Sequence, residues 1–362
     1  MLSSISDPKS ICILRLSAIG DVCHAVATVQ AIQKRHPQAK ITWVIGKIEA
    51  KLLAKLNGVE FVIFDKKAGL KGYRDLYTKL KDRRFDILLH MQVAFRASLA
   101  TFCIRADEKW GFDKSRAKEG QWLFTNKQIS VQIEPHVADG FWGFAQAIGV
   151  STELAPTWNM PVSTQDEQWC EQQIYSQNVD PKPYIVISPA ASKAERNWLP
   201  KRYAAIADYA YANEFNIVLS GGASEMEKQL GDNIISASTS PIINLIGKTS
   251  LPQLLTLLKK SELVLAPDSG PAHMATTVNT PVIGLYAHSN PKRTGPYHSQ
   301  GTTVSVYEEL LKKQTGKTVE ENPWGKRVKG EDLMKLISVD SVITAFNKII
   351  VKKFEFSDKP SI

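Results

Sequence analysis

Short apolar runs alternate with amphipathic segments along nearly the whole of this 362-residue chain. Such runs are typical of strands that are buried on both faces, and the longer segments between them have helical periodicity. Strands that alternate with helices in this way form a parallel sheet with helices on both of its faces. We therefore predict an α/β protein with doubly wound sheets.

The alternation occurs twice, with an interruption between the two occurrences. Ser151–Thr164 contains two prolines and lacks clear periodicity, so we place a linker there. We predict two Rossmann-like domains, 1–160 and 166–338, which face a central cleft. A polar helix, Asp166–Gln177, leads into the second domain, and a last helix, 339–351, has room to pack back on the first. The predicted strands are Ile11–Leu16, Ile41–Ile45, Glu60–Phe64 and Phe85–His90, then Tyr184–Ser188, Asn216–Leu219, Ile242–Leu245, Leu263–Ala266 and Pro281–Tyr286.

Composition and charge exclude several classes of protein. Apolar residues make up 43% of the chain and charged residues 22%, which is typical of a folded domain. No apolar run approaches the roughly 18 residues of a membrane-spanning helix. The four cysteines lack CxxC spacing, which favours reduced thiols over a zinc site. The net charge of +9 is spread along the chain, which favours an anionic substrate or membrane surface over nucleic acid.

Leu263–Thr277, LVLAPDSGPAHMATT, predicts a buried strand that is followed directly by a helix. Pro271 suits the first turn of that helix, where its missing N–H costs nothing. Free N–H groups at a helix N-terminus favour a phosphate, and open α/β sheets bind ligands at the carboxyl ends of their strands. Asp268 is then either part of a ligand site or only a helix cap.

A similar turn follows the first strand, in RLSAIGDVCHA (Arg15–Ala25). Gly20 permits a tight turn, and Asp21 stands at the start of the first helix. A carboxylate there is either a cap, stabilised by the helix dipole, or a general base if it reaches a substrate hydroxyl. His24 is either a polar residue of the predicted cleft or a surface residue.

Two loops of the second domain carry residues that suit a nucleotide. SPAASKAERNW (Ser188–Trp198) contains Ser192, Lys193 and Arg196, and hydroxyls with a guanidinium suit a diphosphate. A solvated basic loop is the alternative interpretation. The glycines of SGGASE permit close approach of a ligand, and Glu225 in it is either a first-turn helix carboxylate or a partner for a ribose.

Three basic residues of the first domain, Arg96, Arg116 and Lys118, suit an anionic acceptor when they are taken together. Taken singly, each is better explained as an ordinary surface charge. The chain has no GxGxxG, so the glycine fingerprint of a dinucleotide site is absent.

The polar segment Tyr307–Lys329 is either a loop near a donor sugar or a surface excursion.

The motifs RLSAIGDVCHA, SPAASKAERNW, SGGASE and PDSGPAHMA together resemble those of glycosyltransferase family 9, the bacterial lipopolysaccharide heptosyltransferases. The resemblance runs in order from about Ile11 to about Val351. LHMQVAFRASLA and KSRAKEGQWLF are most similar to the heptosyltransferase I type. The resemblance implies a GT-B fold, with the acceptor in the N-terminal domain and ADP-L-glycero-D-manno-heptose in the C-terminal domain.

The resemblance also implies a reaction and a location. Heptose would pass with inversion, without a metal or other cofactor, to the Kdo of Kdo-lipid A. The protein would act in the cytoplasm, peripherally at the inner face of the inner membrane. A helix N-terminus together with a cation suits a departing diphosphate in such metal-free chemistry.

Particular residues take their roles from the same resemblance. Asp21 falls on the catalytic base, and Arg196 on a basic position, often lysine in the family, that offsets leaving-group charge. Arg96 and Arg116 match basic positions that face the acceptor. The donor positions are Asp268 at the heptose, Ser192, Ser269, Gly270 and His273 at or beside the diphosphate, and Glu225 at the adenosine ribose.

Two other functions remain open from the sequence. A family member could use another nucleotide sugar, because a diphosphate site is generic. A protein could also bind a sugar nucleotide without turning it over. A screen of donors tests the first of these, and a rate assay on an Asp21 variant tests the second.

Overall fold

The computed structural model describes residues 2–175 and 182–357. Contacts divide the chain into two compact units, Met1–Pro161 and Val162–Ile362. Each unit contains a six-stranded sheet in which the strands pair in parallel. When the strands are numbered along each unit, both sheets have the order 3-2-1-4-5-6. This is a doubly wound Rossmann-like arrangement, and it confirms the predicted fold class.

Among its described residues, the first unit has six strands and five α-helices. Its strands are β1 (Ser10–Leu14), β2 (Lys40–Ile45), β3 (Val59–Ile63), β4 (Arg84–His90), β5 (Arg105–Gly111) and β6 (Lys127–Gln128). Its helices are α1 (Ile19–Arg35), α2 (Lys47–Leu52), α3 (Leu70–Leu80), α4 (Phe95–Ala100) and α5 (Val137–Ala147).

The second unit has six strands and eight helices among its described residues. Its strands are β7 (Tyr184–Ile187), β8 (Asn216–Leu219), β9 (Ile242–Asn244), β10 (Val264–Pro267), β11 (Val282–Tyr286) and β12 (Val304–Ser305). Its helices are α6 (Thr164–Tyr175), α7 (Pro200–Ala212), α8 (Glu225–Ala237), α9 (Leu251–Lys260), α10 (Gly270–Thr277), α11 (Pro291–Thr294), α12 (Tyr307–Thr315) and α13 (Val339–Ser357). The predicted end of α6, residues 176–177, lies outside the described residues.

The central strands form because their side chains are apolar on both faces and each face is covered. Every residue of β7, β8, β10 and β11 is buried. The helices begin at local signals, such as Pro200 in the first turn of α7. Ser250 caps α9 and exchanges hydrogen bonds with Gln253, which forms a capping box. Both signals are local, because each depends on residues within the first turn of its helix.

Strands β5, β6 and β12 are absent from the predicted strands, and two of the differences from the sequence prediction have a clear basis. Strand β5 was not predicted because RADEKWG is rich in charge, and a charged residue, Glu108, takes one of its buried positions. The sequence predicts that the last helix has room to pack back on the first domain, and its described side chains contribute to the core of the second unit. Val342, Ala345, Phe346 and Ile349 of α13 join the apolar core of the second unit.

None of the helices within the described ranges combines the length and apolar composition that crossing a bilayer requires.

Candidate active site

In each sheet the strand order reverses next to the first strand of the unit. The reversal lies between β1 and β4 in the first unit, and between β7 and β10 in the second. Connections leave such neighbouring strands toward opposite faces, and the crevice at their carboxyl ends is where open α/β sheets bind ligands.

Asp21 is in the first turn of α1, directly after the turn that follows β1. Its Oδ2 accepts a hydrogen bond from the backbone N–H of Ala18 at 3.3 Å. The same oxygen lies 2.5 Å from Nη2 of Arg15, and 35% of the Asp21 side chain is exposed. Asp21 therefore caps the helix, which is the first of the two roles considered for it. Its carboxylate is also held by the Arg15 guanidinium and remains accessible to a substrate.

The sequence reasoning did not select Arg15, which the structure places at the centre of this site. Its side chain is 10% exposed. Nη1 donates to the backbone oxygen of Met91 at 2.6 Å, and the guanidinium carbon lies 5.0 Å from the ring centre of Phe141. One signal was available: Arg15 interrupts the apolar run ICILRL just where the strand ends.

The loop after β4 is tied to the loop after β1. The Leu16 N–H donates to Oε1 of Gln92 at 2.7 Å. Gln121, which is fully buried, donates to the backbone oxygen of His90 at 2.8 Å and accepts from the Phe112 N–H at 3.0 Å. These bonds hold three loops together around Arg15 and Asp21.

His24 and Arg116 are both buried inside the first unit. The ring of His24 packs edge to face on His136, with 5.1 Å between ring centres. Arg116 pairs with Asp113 at 3.5 Å and donates to the backbone oxygens of Gln132 and Glu134. In this geometry Arg116 holds its loop in place, whereas we had expected its charge to face an acceptor.

Arg96 and Lys118, the other two basic residues of the predicted acceptor site, are exposed. Arg96 donates to the backbone oxygen of Lys66 at 3.4 Å. Glu119, the neighbour of Lys118, accepts a hydrogen bond from the Phe95 N–H at 2.6 Å. That bond joins the loop of Lys118 to the start of α4, so the structure brings Arg96 and Lys118 into one region of the surface.

In the second unit, Arg196 connects the loop after β7 to the loop after β10. Nη1 lies 3.1 Å from Oδ2 of Asp268 and donates to the Asp268 backbone oxygen at 2.9 Å. Nη2 donates to Oγ of Ser192 at 2.8 Å. The Arg196 side chain is only 13% exposed. The fork of the guanidinium thus holds two of the predicted donor residues at once, which a lysine cannot do in the same way.

Asp268 is almost buried and remains ionised. Burial by itself raises the pKa of its carboxyl, but His273, Ser289 and Arg196 outweigh that effect and lower the pKa to about 2. Ser289 Oγ donates to Oδ2 at 2.6 Å, and Nε2 of His273 lies 3.9 Å from Oδ1. Ser289 was not predicted; its only sequence signal is its position just beyond the end of β11.

Helix α10 begins beside this carboxylate. Ser269 is its N-cap residue and Gly270 its first residue, and Pro271 follows in the first turn. The Ser269 side chain makes no capping hydrogen bond, and its buried Oγ has no partner among the described residues. A helix N-terminus with an uncommitted hydroxyl and a neighbouring guanidinium suits an anionic group of a ligand.

Glu225 is in the first turn of α8, with its side chain 89% exposed, and is separate from the Arg196 cluster. The structure gives a reason for glycine at the positions that precede it. Gly222 N–H donates to Glu227, and a Cβ at Gly222 would lie 2.8 Å from Oε1 of that residue. The Glu227 carboxylate therefore lies on the side of Gly222 to which a side chain would project.

A cavity of about 390 Å³ lies next to Arg196 within the second unit. Its basic lining includes Lys193, Arg327 and Lys329. The segment that carries Arg327 is fixed by Val328, whose N–H donates to the backbone oxygen of His288 at 3.0 Å. This part of the polar segment Tyr307–Lys329 therefore borders the Arg196 cluster.

Comparison with known proteins gives a consistent result. The model of the family described as glycosyltransferase family 9 (heptosyltransferase) matches residues 73–324. The lipopolysaccharide core heptosyltransferase OpsX of Haemophilus influenzae is 45% identical over 94% of this chain and 97% of its own. A family 9 glycosyltransferase structure from Veillonella parvula has a TM-score of 0.79 at 20% identity, over 96% of this chain and 98% of its own. The structure titled E. coli ADP-heptose lps heptosyltransferase II has a TM-score of 0.71 at 21% identity, over 95% and 99%.

The two doubly wound units, with their residues at the strand-order reversals, therefore belong to a glycosyltransferase of the GT-B fold. The chain is a member of glycosyltransferase family 9 and a heptosyltransferase of lipopolysaccharide core synthesis.

Proposed function

We propose that this heptosyltransferase transfers heptose from ADP-L-glycero-D-manno-heptose to the Kdo of Kdo-lipid A, with inversion and without a metal ion. The observation that carries the proposal is the Arg196 guanidinium, held by Asp268 and Ser192 beside the start of α10. The structural similarity to the E. coli ADP-heptose lps heptosyltransferase II supports this donor.

The donor diphosphate lies at the N-terminus of α10 in this proposal. The N–H groups of Ser269 and Gly270 and the Ser269 hydroxyl contact its oxygens, and Arg196 lies beside them. Charge develops on the diphosphate as its bond to the heptose breaks, and a preorganised cation with a helix N-terminus stabilises that charge. Asp268 orients Arg196 and contacts the heptose, with His273 beside the diphosphate.

The rest of the donor lies further from α10. Glu225, exposed at the start of α8, contacts the adenosine ribose. Lys193, Arg327 and Lys329 add positive charge around the neighbouring cavity. All of the residues proposed to bind the donor belong to the second unit.

Asp21 is the general base. Its Oδ2 is engaged by Arg15 and by the Ala18 N–H, which leaves Oδ1 for the acceptor hydroxyl. Oδ1 takes the hydroxyl proton while the hydroxyl oxygen forms its bond to the anomeric carbon of heptose. The bond from that carbon to the diphosphate breaks, and ADP leaves with the electron pair. Attack opposite the leaving group inverts the anomeric configuration.

The acceptor lies against the first unit, and the protein is peripheral at the cytoplasmic face of the inner membrane. Arg96 and Lys118 are exposed and suit the anionic groups of the acceptor, while Arg116 keeps their loop in position. The net charge of +9 supports binding at an anionic membrane face.

A transfer assay tests the proposal as a whole. Purified protein is incubated with ADP-heptose and Kdo-lipid A, with and without EDTA, and ADP and the product glycolipid are measured. We expect the same rate in both samples. Transfer that EDTA abolishes contradicts the metal-free mechanism, and transfer from UDP-hexoses but not from ADP-heptose contradicts the donor. Binding of ADP-heptose with no transfer to any Kdo acceptor contradicts the acceptor.

A further inference from the structure

Five apolar side chains form one surface patch on the first unit, which we call the aromatic patch: Phe95, Phe102, Trp122, Leu123 and Phe124. Phe102 is 73% exposed and Leu123 77%, and about half of Phe95 and Trp122 is exposed. The Phe124 ring lies 6.0 Å from that of Phe95 and 5.4 Å from that of Phe102, between ring centres. These three rings are therefore in contact, and Trp122 and Leu123 precede Phe124 in the same helical turn. Large exposed apolar patches mark sites of interaction.

The backbone beneath the aromatic patch is anchored. Gln121, fully buried, begins the short helical turn that ends at Phe124 and bonds to the loop after β4. The Glu119 carboxylate accepts the Phe95 N–H and so ties this turn to α4. The exposed rings therefore project from a fixed base, which presents them to a partner at little cost in ordering.

Basic residues lie in the segments next to the aromatic patch. Arg96 follows Phe95 in α4 and donates to the backbone oxygen of Lys66, and Lys66, Lys67 and Lys118 are exposed. The nearby carboxylates are engaged by the backbone: Glu119 accepts the Phe95 N–H, and Asp65 accepts the Lys67 N–H at 2.9 Å. Apolar rings within a basic rim suit the interface of an anionic lipid bilayer.

We propose that the aromatic patch docks this protein on an anionic bilayer. Phe102, Trp122 and Leu123 enter the interfacial layer, where aromatic rings are favoured, and Lys66 and Lys67 contact lipid phosphates. A second copy of the chain is a poorer occupant, because a symmetric contact would bring the basic rims together. The inference deepens the proposed function by assigning the surface that brings the enzyme to a lipid-linked acceptor.

Vesicle sedimentation of the full chain tests the proposal. The probes are vesicles of phosphatidylcholine alone and vesicles that also contain about 30 mol% phosphatidylglycerol, an amount that gives a negative surface potential. We expect binding to the anionic vesicles that weakens with salt. Phe102→Ser with Leu123→Ser should lower the partition coefficient at least about tenfold, since both lose apolar contact. Lys66→Gln with Lys67→Gln should lower it about fivefold per lysine.

Leu336→Ser is the matched control, because Leu336 is 57% exposed in the second unit. Its partition coefficient should equal that of the wild type. Equal vesicle binding by the wild type and by the two double variants overturns the docking surface. Loss of a dimer in these variants, without any loss of vesicle binding, also overturns it.

Activity on two acceptors separates this inference from the proposed function. The patch variants should transfer normally to a Kdo acceptor that lacks acyl chains, and slowly to Kdo-lipid A in vesicles. Equal loss on both acceptors overturns the docking role. Absence of transfer by the wild type contradicts the proposed function, and in that case patch-dependent vesicle binding still supports the docking surface.

Discussion

Replacing Arg196 tests whether its charge stabilises the departing diphosphate. Arg196→Met keeps much of the length of the side chain and removes the charge. Arg196→Lys keeps the charge but lacks the fork that contacts Asp268 and Ser192 together. We expect the Met variant to lose most of its turnover and the Lys variant to keep most of it.

The size of the effect follows from the position of the guanidinium. Two unit charges about 4 Å apart near a protein surface interact by about 4 kcal/mol. The diphosphate is already charged in the bound donor, so only the part that grows in the transition state lowers the barrier. If the charge that develops in the transition state is half a unit to one unit, its lost interaction with Arg196 is about 2–4 kcal/mol. The loss in Arg196→Met is then about 30- to 1000-fold in kcat. For Arg196→Lys we expect a loss below about tenfold.

The assay is release of ADP at saturating donor and acceptor, with donor Kd measured by calorimetry. Thermal melts of each variant show whether it is folded at the assay temperature, because removing Arg196 also leaves the Asp268 carboxylate without its cation. In Arg196→Met the pKa of Asp268 should rise from its value of about 2. A folded Met variant that turns over within about threefold of the wild type would refute the leaving-group role.

Three further predictions concern other parts of the molecule. Asp21→Asn should lower kcat by about 10²–10⁴-fold in the transfer assay with nearly unchanged donor Kd, because the amide cannot take the acceptor proton. Arg327→Gln should weaken donor Kd by calorimetry about three- to tenfold, because it removes positive charge from the cavity beside Arg196. Glu108→Gln should lower the free energy of unfolding at pH 7 by about 2 kcal/mol in denaturant titrations, because Glu108 accepts hydrogen bonds from Ser3 and from buried Trp110.

The pH dependence of the Glu108 effect has a definite sign. Burial by itself raises the pKa of this carboxyl, but hydrogen bonds from Ser3, Ser4 and Trp110 outweigh it and lower the pKa to about 2. A carboxyl with a depressed folded pKa stabilises the protein above its unfolded pKa, near 4.5. The difference between Glu108→Gln and the wild type should therefore shrink as the pH falls from 4.5 toward 2.

Each of these variants has a matched control. Asp139→Asn removes another first-turn carboxylate, from α5, and should keep normal turnover. Lys326→Gln removes the charge adjacent to Arg327 and should leave donor Kd unchanged. Asp107→Asn, exposed on the same strand as Glu108, should change stability by less than about 0.5 kcal/mol. Equal effects in a variant and its control would contradict the role assigned to that residue.

The sequence alone predicted the central strands and the strand ends at which candidate ligand residues lie. Apolar periodicity predicted the central strands, because a strand buried on both faces must be apolar whatever surrounds it. Asp21, Arg196 and Asp268 were selected because each follows such a strand. In a parallel sheet that position by itself places a residue at the carboxyl edge.

Only the tertiary structure decided which of these residues meet. Asp268 and Ser289 are 21 residues apart and are joined because β10 and β11 are neighbours in the sheet. From the sequence, Arg116 is an ordinary surface charge. In the structure it is buried, because backbone oxygens of a later segment accept hydrogen bonds from its guanidinium.

The last helix shows the same division between sequence and structure. The apolar face of α13 is evident from its periodicity, but periodicity does not say which core that face will cover. The structure packs it on the second unit, against residues far away in the sequence. Local periodicity is encoded in consecutive residues, whereas the pairing of loops, buried charges and helix faces depends on strand order and on shapes that form only when the chain has folded.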